Sequence, residues 1–79
     1  MNISSIVIKV RPEKMDEVLK SLVVKGLCEV HFTDERGRIV ASLEGDSGED
    51  EAAKLREITK MPNIVSACFA YCYSDNESN

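Results

Sequence analysis

Residues 3–10, ISSIVIKV, alternate apolar and polar side chains once past Ser5 and are rich in β-branched residues, which predicts a first strand. Arg11-Pro12-Glu13 breaks it. Proline there opens a helix, because its ring presets the helical φ and its missing N–H would be unpaired in a first turn anyway. Met15, Val18, Leu19, Leu22 and Val23 then recur at the spacing that lines one side of a helix, and Gly26 supplies the stop. Residues 27–34 return to alternation, with Cys28, Val30 and Phe32 on the apolar side and Glu29, His31 and Thr33 on the other. A turn at Asp34-Glu35-Arg36-Gly37 and a strand over 39–43 make residues 27–44 a hairpin. Ser47-Gly48-Glu49-Asp50 resembles a capping box with Asp in the usual Glu place. Ala52, Leu55 and Ile58 form a narrower helical stripe, which Met61-Pro62-Asn63 ends. Residues 64–73, IVSACFAYCY, predict a last strand that is apolar on both sides.

The order β-α-β-β-α-β is the split-βαβ, ferredoxin-like pattern of the α+β class. Two right-handed crossovers give an antiparallel sheet in the order 4-1-3-2, with both helices on one face and the other face open. Residues 1–75 are expected to form one domain and 76–79 a polar C-terminal tail. A chain of 79 residues has a single small core, and with no Trp, two Phe and two Tyr that core rests on Ile, Val and Leu.

Packing Ile6, Ile8 and Val10 with Cys28, Val30 and Phe32 under the helices decides what points the other way. Strand 1 then offers Ser5, Val7 and Lys9 to the open face, and strand 2 offers Glu29 and His31. If Ile39, Ala41 and Leu43 face inward, Val40 and Ser42 join them. If Ala67, Phe69 and Tyr71 do so, strand 4 adds Ser66, Cys68, Ala70 and Cys72. Alternation alone does not choose for these two strands. The resulting surface is mixed and partly apolar, which suits a docked helix or strand; a solvated sheet or a contact between two copies would use the same surface.

Charge narrows the partner. A net charge of −4 argues against nucleic acid, which needs a basic face, and permits a basic partner. The topology gathers Glu44, Asp46, Glu49, Asp50 and Glu51, with Asp75 and Glu77 of the tail, at one end of the sheet, an acidic pole also expected at a helix start from its dipole. Arg11, Lys14, Arg36, Arg38 and Lys60 fall at the other end.

The sequence holds no catalytic constellation. His31 is its single histidine, with no nucleophile arranged beside it, and the four glycines read as turn or cap positions, not as a phosphate loop. Cys28, Cys68 and Cys72 form no CxxC pair, so neither a zinc site nor a disulfide framework is indicated, and no cofactor is expected. Reduced thiols, the lack of an export signal at Met1-Asn2-Ile3-Ser4-Ser5, and apolar runs too short to cross a bilayer point to the cytoplasm.

Together, Ile3 to Ile8 leading to Arg11-Pro12-Glu13, then Glu29-Val30-His31, Gly37-Arg38-Ile39-Val40, Met61-Pro62-Asn63-Ile64-Val65-Ser66-Ala67 and Tyr71-Cys72-Tyr73 resemble the NapD family, in register over about residues 3–75. Asn63 stands where that family often has Gly. The resemblance implies a cytoplasmic chaperone that binds the twin-arginine signal peptide of the catalytic subunit of periplasmic nitrate reductase. It would restrain export until the molybdenum cofactor is in place and engage the peptide through the open sheet. A monomer is expected on this reading. The alternative is a small-ligand regulatory domain of the same fold acting as a dimer.

Overall fold

The computed structural model describes residues 2–70. Strand β1 (Asn2–Val10) leads through a 3-10 turn at Pro12–Lys14 into helix α1 (Met15–Lys25), and β2 (Glu29–Thr33) and β3 (Arg38–Gly45) form the hairpin. Helix α2 (Gly48–Thr59) and strand β4 (Ile64–Phe69) follow. The sheet is antiparallel in the order β2-β3-β1-β4, the expected arrangement, and the fold is ferredoxin-like α+β. The boundary expected at residue 75 and the inward position of Tyr71 lie outside the described residues.

One face of the sheet meets both helices. Ile6, Ile8, Val10, Ile39, Ala41 and Leu43 pack against Val18 and Leu22 of α1 and Ile58 of α2, all close to fully buried. Met15, Leu19, Leu55, Ala67 and Phe69 pack around this core. The strand 3 alternative is thereby resolved: Ile39, Ala41 and Leu43 point inward because only that parity puts the bulkier pair under the helices. Val23 departs from the expected stripe and is 77% exposed. It is the last member of the i, i+3, i+4, i+7, i+8 series, about 80° around the helix from Met15 and on the far side of it from buried Val18 and Leu22.

Both helix starts and stops follow local chemistry. Gly26 ends α1 in the left-handed conformation, its N–H donating to the Leu22 carbonyl at 3.0 Å. At α2 the Ser47 hydroxyl accepts the Asp50 N–H at 3.1 Å, as a capping box requires. The reciprocal arm differs: the Asp50 carboxylate accepts from the Asp46 N–H at 2.9 Å, one residue before the cap. Asn63 has φ 69°, the conformation that glycine adopts freely and asparagine tolerates, so it serves the turn into β4 in place of Gly.

Two further ties were not foreseen. Glu51, in the first turn of α2, is buried and accepts a hydrogen bond from the Ser4 hydroxyl at 2.9 Å, joining helix to sheet across 47 residues of chain. The β2–β3 turn is locked by Asp34. Its Oδ1 accepts the N–H groups of Arg36 and Arg38 at 2.9 and 3.0 Å, and its Oδ2 accepts from Arg38 Nε at 2.7 Å.

The Arg38 backbone N–H foremost, with its guanidinium and the Arg36 N–H, holds the Asp34 carboxyl below its ordinary value of 3.8. The unfolded chain therefore takes up this proton first as pH falls. The contribution is complete above the ordinary carboxylate value and is lost as pH drops through the lowered one. An Asp34→Asn variant should thus melt below the parent at neutral pH, and the gap should close as acid protonates the parent's Asp34 in the folded state. A gap that stays constant across an acid series of melting curves would contradict the turn's electrostatics.

Candidate functional site

The register across the sheet arranges the uncovered face in transverse rows. Val7 pairs with Val40 on one side and Cys68 on the other, and Val40 pairs with Phe32. Phe32, Val40, Val7 and Cys68 therefore form one continuous row spanning all four strands. On one side lies a small polar row in which Ser42 pairs with both Ser5 and Glu29, and the Ala70 N–H donates to the Ser5 carbonyl at 2.8 Å. His31 joins this row, its Nε2 being 2.9 Å from the Ser42 hydroxyl. On the other side Lys9 pairs with Arg38 and with Ser66.

Phe32 is the main departure from the alternation. Glu29 pairs with Ser42 and Val30 with Ala41, but Phe32 pairs with Val40, so β2 carries one extra residue at His31. This β-bulge reverses the parity of everything after it. Phe32, expected under the helices, is turned to the open face and is 61% exposed. A similar irregularity between Lys9 and Val10 leaves Val65 as the extra residue of β4, also exposed. A bulge is set by how neighbouring strands meet, so the alternation of Cys28, Val30 and Phe32 contains no sign of it. Ile3 was within reach: it shares parity with Ser5, Val7 and Lys9, pairs with Glu44 and is exposed.

Of the other expected residues, Ser5, Lys9, Glu29, His31, Ser66 and Cys68 are exposed, and Val7, Val40, Ser42 and Ala70 are half-buried. Cys72, Asp75 and Glu77 lie outside the described residues. At one end of the sheet the β3–α2 connection carries Asp46 and Glu49 in solvent. Asp50 is engaged locally, by the Asp46 N–H and by Lys54 Nζ at 3.7 Å. A cleft of about 230 Å³ at the start of β2 is lined in part by Cys28, Glu29, Ser42 and Glu44. At the other end several cations are compensated: Arg38 by Asp34 at 2.7 Å, Lys14 by Glu17 at 3.4 Å and Lys60 by Glu57 at 3.9 Å. The two poles thus differ in more than sign. The acidic carboxylates of Asp46 and Glu49 face water, and much of the basic charge is already paired.

The two described cysteines differ in environment. Cys68 is exposed within the apolar row, whereas Cys28 is half-buried and its burial pushes the thiol pKa up. A neutral-pH alkylation time course read by peptide mass mapping should modify Cys68 well before Cys28. Equal rates would contradict this placement.

Side chains of four strands thus present an apolar row between a carboxylate-containing side and a lysine-containing side. Comparison with known proteins agrees with the fold that creates it. The solution structure of the E. coli Tat proofreading chaperone protein NapD superimposes with a TM-score of 0.80 at 17% sequence identity, covering 89% of this chain and 75% of that one. No curated protein sequence matches. The family model described as NapD protein matches residues 1–76, and the chain belongs to the NapD family.

Proposed function

We propose that this protein is a cytoplasmic Tat-proofreading chaperone that binds the twin-arginine signal peptide of the periplasmic nitrate reductase catalytic subunit. It acts by holding: it restrains export until the cofactor is inserted and assists maturation, with no chemical step of its own. The single observation that carries the reading is the uncovered sheet face, whose apolar row runs unbroken from Phe32 to Cys68. Membership of the NapD family supplies the class of partner, and the similar fold of a solved Tat proofreading chaperone agrees with it.

The physical fit is direct. A signal peptide couples arginines to an apolar stretch. The apolar stretch covers Val7, Val40 and Phe32, removing from water area worth about 25 cal/mol per Å². Ser5, Glu29, His31 and Ser42 border it on one side and supply polar contacts, and Lys9 stands on the opposite flank. The arginines point towards the acidic end, where Asp46 and Glu49 stand unpaired among the described residues.

A titration of the nitrate reductase signal peptide, followed by amide shifts, tests the proposal. Shifts confined to the four strands are the expected result, and unchanged sheet signals would end it. Charge reversal at Asp46 and Glu49 should weaken binding most at low salt. Asp50 is left alone, because its carboxylate closes the start of α2. Sedimentation addresses the alternative, since a tight dimer burying the open face would leave no platform for a peptide.

A further inference from the structure

Resting on the peptide-binding reading above, we infer that the bound segment is a helix lying across the strands, its axis following the row Phe32–Val40–Val7–Cys68. Its basic flank is turned to the Glu29 side and away from Lys9.

The argument starts from the register. Along any one strand the open face is interrupted: β1 reads Ile3, Ser5, Val7, Lys9, so a helix laid along it would meet a serine between its apolar contacts and an ammonium at the end. Along β3 the sequence Arg38, Val40, Ser42, Glu44 is charged at both ends. Across the strands the contact is uninterrupted, because three successive cross-strand pairs bring Phe32, Val40, Val7 and Cys68 into line. Strands lie about 4.8 Å apart, so the row is roughly 14 Å long. A helix rises about 1.5 Å per residue, so this length takes about nine or ten residues, between two and three turns of apolar side chains.

Charge then distinguishes the two flanks. On the side towards β1's start stand Glu29 and Glu44, neither in an ion pair among the described residues. On the other stand Lys9, likewise without an acidic partner, and Arg38, whose guanidinium is held by Asp34 at 2.7 Å. An occupant with arginines beside its apolar stretch is attracted to the first flank and repelled by the second. That complementarity commits the face to a cationic helix. A second copy carries the same net charge of −4, which opposes its approach as a whole.

Spin labels placed in turn at the two ends of the apolar stretch of the synthetic signal peptide test the axis on the full chain. One label should broaden the amides of Phe32 and Thr33, and the other those of Ala67 to Phe69. If instead one broadens Ile3 and Glu44 and the other Lys9 and Arg38, the axis runs along the strands. This inference then fails while peptide binding stands. If neither label perturbs the sheet, the binding reading falls with it. For the flanks, Glu29→Lys should weaken binding roughly fivefold at low salt and Lys9→Glu should not weaken it. Both residues are exposed, so neither change threatens the fold. The reverse pattern would overturn the assignment of the flanks.

Discussion

Replacing Phe32 with alanine should leave the melting midpoint almost where it is and weaken signal-peptide binding about thirtyfold. The two halves of this result have one cause, the extra residue at His31 that turns the ring out of the core. An exposed side chain contributes little to folding, so the stability change should stay below about 1 kcal/mol. Had the alternation of β2 continued, Phe32 would sit under α1, and its truncation would cost about 3–5 kcal/mol. Calorimetry of this one variant therefore distinguishes the two parities. The binding loss follows from position: Phe32 ends the apolar row and is the only aromatic side chain in it. Aromatic anchors of this kind commonly contribute about 2 kcal/mol to an interface, a factor of roughly thirty. A variant that melts early, or that binds the peptide as tightly as the parent, would contradict the site as described.

Of the four glycines, Gly37 should be the one where replacement by alanine destabilises the fold most. Gly37 has φ 94°, outside the range that side-chain-bearing residues adopt readily, and a Cβ built there would fall on the Val10 carbonyl oxygen. That oxygen cannot retreat, because Val10 is tied to the same glycine by its N–H donating to the Gly37 carbonyl at 2.7 Å. The turn therefore has to open, breaking the tie between the end of β1 and the hairpin. A cost of at least about 2 kcal/mol is expected, or a fall in melting midpoint of about 10 °C for a domain of this size. Gly26→Ala is the matched control. Gly26 also has positive φ, 65°, but an added Cβ there meets nothing within 4 Å. Its cost should be about 1 kcal/mol, from conformation alone. Equal losses at the two positions would show that contact with Val10 is not what makes Gly37 special. Because Gly37 lies at the end of the sheet beyond Lys9 and Arg38, the surviving folded fraction should still bind peptide.

Much of this architecture was legible from residue order. Helices were readable because 3.6-residue spacing of Met15, Val18, Leu19 and Leu22 leaves one buried stripe, and because Pro12, Gly26 and Ser47 mark their ends by local backbone chemistry. Strand order followed from handedness, which a chain of L-residues imposes on every βαβ crossover. Even the substitution of Asn63 for a glycine is local, since asparagine's short polar side chain tolerates φ 69°.

What needed the folded structure is whatever depends on two segments meeting. Strands β3 and β4 are apolar enough on both sides that periodicity could not orient them; the helices decided, by covering one parity only. The bulge at His31 arises between β2 and β3, so no pattern within β2 reveals that Phe32 has changed sides. The Ser4–Glu51 hydrogen bond joins residues far apart in the chain, and a glutamate in the first turn of a helix reads from sequence as a solvated charge near a dipole. The residues that alternation assigns to the face were thus legible in the sequence: serines, valines, cysteines, an alanine, one lysine, one glutamate and one histidine. Their assembly into an unbroken apolar row with unlike flanks was decided by register, because cross-strand neighbours are set by pairing and twist and not by any repeat along the chain.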